Sequence, residues 1–273
     1  MEKLLVFRFS AMGDVAMTVP VLYSLACAYP EVQITVVSRK AFQPFFEQLP
    51  TNVSFFAVDK YVGKNKGIRE LFRLFRDLRR TKYDAVADLH DVLRTFFLRS
   101  CFRLSGTRVE HIHKGRKEKQ ALTRAKNKIC HPIPTTFERY TAVFHRLGFQ
   151  QFPDTFHGIL EDKTVAQREV FPLTGEKGSQ TWIGIAPFAR HRGKMYPLEK
   201  MEQVVSRLSQ QTDYRIFLFG GGTQEIATLH KWEQKYARTQ TLSDKLKLSG
   251  ELNLIRLLDV MVSMDSANMH MAS

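Results

Sequence analysis

The hydrophobic pattern of the chain alternates between two kinds of segment. Short runs rich in apolar, β-branched and aromatic residues fall at 4–9, 32–37, 53–58, 83–89 and 107–112. Each has the length of one strand. Between them lie stretches with apolar residues three and four apart, at 18–28, 41–48, within 60–82 and at 135–147. Strand and helix in alternation predict a parallel sheet with helices on both faces. The pattern weakens over 150–180, which holds Pro153, Gly158, Pro172, Gly175 and Gly178 and reads as a connection. It resumes with strands at 181–186, 214–219, 246–249 and 260–264 and with helical stretches at 198–208, 223–236 and 252–258. Two α/β domains follow, 1–150 and 181–273, with a linker over 151–180. Residues 265–273 read as a turn and a helix start too short to cover the sheet they leave, so the second domain is expected to be incomplete at its C-terminus.

Composition narrows the class. The chain has 273 residues, 44% of them hydrophobic, enough for two ordinary cores. It contains no uninterrupted apolar run of about 18 residues and no signal-peptide shape at Met1-Glu2-Lys3, so a cytoplasmic protein is expected. Cys27, Cys101 and Cys130 are odd in number and far apart, and are read as reduced, mostly buried thiols. The net charge is +14 and unevenly placed: residues 60–128 carry 20 Lys and Arg against 7 Asp and Glu. Such a block attracts an anionic partner by long-range electrostatics. Nucleic acid, an anionic membrane surface and a phosphorylated glycolipid are the candidates. The plainer reading is a solvated helix face, and Leu71, Leu74, Phe75 and Leu78 at helical spacing favour it for 60–82. The stretch 108–128 has few apolar residues, which points to a partner or a mobile loop. No stacking-aromatic interleaving or helix-turn-helix pattern supports nucleic acid.

Chemistry gathers behind the strands, where open α/β folds bind ligands. Ser10-Ala11-Met12-Gly13-Asp14-Val15 follows the first strand and leads into a helix. Asp14 in a first helical turn is held ionised by the helix N-terminus and is suited to accept a proton; the plainer alternative is a helix cap. Arg190, Arg192 and Lys194 share one loop with Gly193, a cationic set that suits a diphosphate. Gly220-Gly221-Gly222 with Glu225 is a turn through which a nucleotide can approach the backbone while an acid accepts a ribose hydroxyl. The turn Asp265-Ser266-Ala267-Asn268 aims backbone N–H groups at phosphate and leaves Asp265 for sugar hydroxyls. His270 reads as a packing or capping residue rather than a catalytic one. No metal-ligand constellation is found, and Asp88-Leu89-His90-Asp91 has the wrong spacing for one.

These motifs, with Thr18, Pro20, the segment 83–90, His131 and Glu138-Arg139, occur in the order found in glycosyltransferase family nine. The chain resembles its lipopolysaccharide heptosyltransferases over its whole length. The resemblance implies a GT-B fold of two Rossmann-like domains facing an interdomain cleft. It implies inverting, metal-independent transfer of a heptose or related sugar from an ADP-sugar to the lipopolysaccharide inner core, with no cofactor. Asp14 and Lys194 match the catalytic positions, as general base and donor-phosphate lysine. Gly13, Arg190, Gly221, Glu225, Asp265, Ser266, Ala267, Asn268 and His270 fall on the donor side. Ser10, Met12, Lys64, Arg69, Lys114, Arg116 and Lys117 fall on the acceptor side, where an anionic lipid A/Kdo-type glycolipid would be held. Ala267 departs from the family's usual glycine and puts donor choice in question. The expected location is the cytoplasmic face of the inner membrane, peripheral to its anionic surface, and nucleic acid is not expected. The alternatives are a non-catalytic member of the family and a nucleic-acid-binding basic α/β protein.

Overall fold

A computed structural model describes residues 1–63, 67–153, 156, 158 and 163–273. The chain divides into two compact units. The first comprises Met1–Ala11 and Met17–Ile159, the second Met12–Ala16 and Leu160–Ser273.

The first unit is built on a parallel sheet of β1 (Lys3–Phe7), β2 (Gln33–Ser38), β3 (Val53–Ala57), β4 (Ala85–Asp88) and β5 (Arg108–His111), in the order β3-β2-β1-β4-β5. Central β1 pairs with both β2 and β4, and Leu4, Leu5, Val6 and Phe7 are fully buried. A strand covered on both faces has no polar side, which is why it reads as an unbroken apolar run. Helices α2 (Val19–Ala28), α3 (Ile68–Arg79), α4 (Leu93–Leu104), α5 (Arg116–Thr123) and α6 (Thr136–Arg146) complete the unit. Helix α3 buries Leu71, Leu74, Phe75 and Leu78 and turns its arginines outward, the solvated face that the spacing predicts. Helix α6 opens on a capping box in which Glu138 N–H donates to Thr135 Oγ1 at 3.2 Å and Thr135 N–H donates to Glu138 Oε2 at 2.6 Å.

The second unit has a parallel sheet of β6 (Thr181–Ala186), β7 (Tyr214–Leu218), β8 (Thr239–Thr241) and β9 (Val260–Ser263), in the order β8-β7-β6-β9. Helices α7 (Lys163–Thr174), α8 (Leu198–Leu208), α9 (Thr223–Lys235), α10 (Leu248–Leu257) and α11 (Ala267–Ala272) belong to it, together with the short helix α1 (Met12–Ala16). One core gathers around Trp182, Phe217 and Leu254, the other around Ile185, Val205 and Trp232.

Five sequence expectations change. Residues 151–180 are not wholly a connection: α7 lies within them, packs on α10 and buries Ala166 and Val170 in the core of the second unit. Pro172 and the flanking glycines mask it, although a proline in the last turn of a helix leaves most of its ladder intact. The run 246–249 opens α10 rather than forming a strand, and the fourth strand of this sheet is the polar Thr239–Thr241. A four-residue apolar run carries no period that separates helix from strand. Residues 41–48 form a 3₁₀ turn over Lys40–Phe45 containing Pro44, and 108–128 holds helix α5 rather than a loop throughout. Cys27 and Cys130 are exposed and Cys101 half-buried, against the expectation of buried thiols.

Candidate active site

The sequence-predicted donor residues collect behind the strands of the second unit. After β6 the chain runs through Arg190 to a 3₁₀ turn at Arg192–Lys194, where Lys194 N–H donates to His191 O at 2.9 Å. The Lys194 ammonium lies 2.7 Å from Asp265 Oδ2, and both side chains are about half exposed, at 47% and 52%. Lys194 holds the Asp265 carboxyl below its usual range, with burial opposing weakly. Two bonds fasten this loop to the end of β9: Met264 N–H donates to Ala186 O at 3.2 Å, and Tyr196 N–H reaches Met264 Sδ at 3.1 Å. Ser266 is the N-cap of α11, with its Oγ 3.4 Å from Ser263 Oγ. Ala267 and Asn268 form the first turn of α11.

Helix α1 packs against α11. Gly13 explains how: a Cβ there would stand 2.6 Å from His270 Cδ2 and 3.4 Å from the Ala267 Cα. Only a residue without a side chain lets α1 lie this close. His270 thus lies directly against Gly13. Asp14, partly buried in the first turn of α1, is carried by the same contact to the helix that begins at the Asp265-Ser266 turn. Met12, also partly buried, stands at the start of α1.

The glycine turn follows β7. A side chain at Gly220 would meet Leu229 Cδ1 at 3.0 Å and the Phe188 ring at 3.1 Å, whereas Gly221 and Gly222 border open space. Gly222 caps α9 with φ +82°, a left-handed backbone that favours glycine. Glu225 Oε2 accepts the Gly221 N–H at 2.8 Å, so this acid organises the turn itself. Gly220 N–H donates to Ser243 Oγ at 3.1 Å. Beside Ser243, Asp244 Oδ2 lies 3.2 Å from His230 Nε2, while His230 Nδ1 lies 2.9 Å from Glu233 Oε2.

Hydrogen bonding to Glu233 and then to Asp244 raises the His230 pKa above the usual 6.5, with slight desolvation between them acting the other way. A cation favoured in the folded state stabilises it fully below the unfolded pKa, and that stability is lost as pH rises through the higher folded value. Because these groups are partly exposed, the contribution is expected to be about 1 kcal/mol or less. His230→Gln should lower the melting temperature on the acidic side of 6.5 and converge with the parent on the alkaline side. A thermal-unfolding series across pH checks this, and a constant offset at all pH values would contradict it.

In the first unit the ends of β1, β4 and β5 carry a second polar group. Asp88, the last residue of β4, is fully buried. Its Oδ1 accepts the N–H groups of His90 and Asp91, both at 2.9 Å, and its Oδ2 receives Arg99 Nη1 at 2.9 Å. The same Arg99 nitrogen donates to Asp91 Oδ1 at 2.8 Å. Asp91 has φ +47°, a conformation that aspartate tolerates better than most residues. Burial pushes its carboxyl upward, but the Arg99 bond and charge, followed by the Lys114 charge, outweigh this and hold it below the usual range. Lys114 Nζ donates to Asp91 O at 2.7 Å, and Lys114 O accepts from Arg139 Nη1 at 3.0 Å. Burial lowers the Lys114 pKa, opposed by Asp91 and reinforced by Arg116. Arg116 Nη2 lies 3.9 Å from Asp91 Oδ2. Ser10 Oγ and His90 Nε2 are 3.4 Å apart, and Arg8 Nη1 donates to Leu89 O at 2.6 Å.

Of the acceptor-side residues, Ser10, Lys114 and Arg116 thus meet the 88–91 segment. Arg69 and Lys117 are exposed in the first turns of α3 and α5, and Lys64 lies outside the described residues. Sequence reasoning missed Arg8, Asp88, His90, Asp91 and Arg99 as an organised set. One signal was present: Arg99 interrupts the apolar face of α4 between Leu98 and Phe102, where a charge is stable only if paired.

The profile of glycosyltransferase family 9 (heptosyltransferase) matches residues 71–273. Lipopolysaccharide heptosyltransferase 3 of Escherichia coli is 26% identical over 216 residues, which cover 77% of this chain and 60% of that protein, so the chain spans less than two thirds of this curated relative. Among solved structures, a family 9 glycosyltransferase from Veillonella parvula superposes with a TM-score of 0.77 at 20% identity, over 99% of this chain and 77% of that one. Heptosyltransferase WaaC of E. coli, solved with ADP-2-deoxy-2-fluoro heptose, gives 0.70 at 20% identity, over 99% and 85%. The fold class expected from the sequence is the one these structures share. The chain belongs to glycosyltransferase family 9.

Proposed function

We propose that this protein transfers a heptose or a related sugar from an ADP-sugar to an anionic inner-core glycolipid of lipopolysaccharide, with inversion and without a metal. One observation carries the reading: α1, which bears Asp14, is seated through Gly13 on α11, whose cap turn holds Asp265 in contact with Lys194. A carboxylate and an ammonium of opposite roles are thereby mounted on one scaffold. Asp14 takes the proton of an acceptor hydroxyl as that oxygen attacks the anomeric carbon. The bond from that carbon to the diphosphate oxygen breaks, giving an inverted glycoside, ADP and a protonated Asp14. Lys194, with Arg190 and Arg192, neutralises charge gathering on the departing diphosphate. Asp265 then exchanges its ammonium partner for sugar hydroxyls, Ser266 and Asn268 face the phosphate, and Gly221 and Glu225 border the nucleoside. That WaaC was solved with ADP-2-deoxy-2-fluoro heptose and with ADP supports this choice of donor.

Ser10, Lys114 and Arg116 supply donors and positive charge for the acceptor. A few cations of the basic block are engaged within the protein: Arg99 pairs with Asp88 and Asp91, while Arg103, Arg108 and Lys114 donate to backbone carbonyls. Among the described residues no helix is long and apolar enough to cross a membrane, and a glycolipid acceptor places the working enzyme at the cytoplasmic face of the inner membrane.

A thermal-shift panel of ADP-, GDP-, UDP- and TDP-sugars tests the donor. A saturating ADP-sugar, at about 100 times its Kd, is expected to add about 2.7 kcal/mol of stability, and Lys194→Ala should remove most of that gain without lowering the melting temperature of the free protein. An equal response to all four nucleotides, or none, would count against the reading.

A further inference from the structure

Four large apolar side chains stand in water where α3 and α4 begin. Ile68 and Phe72 on α3 are 65% and 55% exposed, and Leu93 and Phe96 on α4 are 89% and 54% exposed. The two helices lie together: Phe72 contacts Phe75, whose ring centroid is 5.0 Å from that of Phe102 in α4. Arg94 Nη2 also donates to Gly63 O at 3.1 Å, joining the start of α4 to the approach to α3. Isolated exposed apolar residues are ordinary, but a cluster at neighbouring helix starts marks an interaction surface.

The exposed charged side chains of these two helices are all cations. Arg69, Arg73 and Arg76 are exposed on α3. The acids of α3 are engaged: Glu70 Oε2 accepts Gly67 N–H at 3.0 Å, and Asp77 accepts the Tyr61 hydroxyl and faces Arg80. Helix α4 contains no acidic residue. We infer that the exposed faces of α3 and the first turn of α4 form a docking surface for a bilayer rich in anionic phospholipid, with Ile68, Phe72, Leu93 and Phe96 entering the interface and the arginines meeting headgroups. Apolar side chains set among cations suit that partner. A second copy of this chain would bring arginine against arginine. Nucleic acid would leave Ile68 and Leu93 without a stacking role. Both helices begin at the carboxyl end of the first sheet, the end that carries Ser10, His90 and Lys114. Under the proposed function, a glycolipid anchored in the docked bilayer reaches the acceptor side without leaving the membrane.

The test is co-sedimentation of the full chain with phosphatidylcholine vesicles and with vesicles that also contain phosphatidylglycerol, in the absence of any sugar nucleotide. Partition is expected to favour the anionic vesicles and to weaken with salt. The double variant Phe72→Ser, Leu93→Ser should lower it about tenfold or more, and Arg73→Gln and Arg76→Gln about fivefold each, all with unchanged far-UV circular dichroism. Equal recovery on both vesicle types, or unchanged partition of the double variant, would overturn the inference. So would concentration-dependent self-association that Phe72→Ser abolishes, since the patch would then belong to a second copy. Because no donor is present, loss of the transfer reading would leave this assay standing.

Discussion

Asp14→Asn is expected to reduce sugar transfer by about 10²–10⁴-fold, the usual worth of a positioned general base, with donor affinity kept within a few-fold. Asparagine matches aspartate in shape, so α1 keeps its seat against α11, and the Gly13–His270 contact that fixes its height does not involve the altered group. What is lost is the capacity to take a proton. The Lys194–Asp265 pair, 2.7 Å apart, is untouched, so the groups assigned to the diphosphate remain in place. Turnover with an ADP-sugar and a glycolipid acceptor, measured beside the donor Kd by calorimetry, separates the two terms. Wild-type turnover would remove Asp14 from the reaction. Parallel loss of turnover and donor affinity would make it a structural residue of the α1–α11 contact.

The candidate residues of the second unit are legible in the sequence because they lie where a pattern ends. Asp14, Lys194, Gly221 and Asp265 each follow an apolar run that reads as a strand, and the carboxyl ends of parallel strands are where such folds gather ligands. The polar group at the other sheet was not legible in the same way. Asp88 sits at a strand end too, but its partner Arg99 is eleven residues on, inside a helix, and Arg8 reaches Leu89 from a different strand. Local spacing carries no information about such pairs, which are set by the order β3-β2-β1-β4-β5 that puts β1 beside β4. The strand at Thr239–Thr241 was hidden for a related reason. Thr241 Oγ1 donates to Leu218 O at 3.2 Å, so a polar residue is satisfied while fully buried in this edge strand, without an apolar pattern. Helix α7 is hidden in the sequence because Pro172 and the neighbouring glycines outweigh the two buried apolar residues, Ala166 and Val170, on its inner face.

Arg99→Met should cost about 3–5 kcal/mol of stability, because it leaves the fully buried Asp88 carboxylate without its cation. That is a large share of the 5–15 kcal/mol or so typical of a folded domain, and chemical denaturation should show it as an earlier midpoint for the first unit. The double variant Asp88→Asn, Arg99→Met tells the ion pair apart from the turn it supports. An amide oxygen can still accept the N–H groups of His90 and Asp91 that Asp88 Oδ1 now holds at 2.9 Å, and no unpaired charge is left in the core. Stability is therefore expected to recover in part, since replacing both members of a buried pair costs less than removing one. Acceptor binding should not recover with it. Asp91 loses the Arg99 bond that fixes its carboxylate, and with it the hold on the carbonyl that receives Lys114. A raised KM for acceptor with near-parental stability would assign Asp88 and Arg99 to positioning Lys114, whereas full recovery of both would reduce them to a means of filling the core.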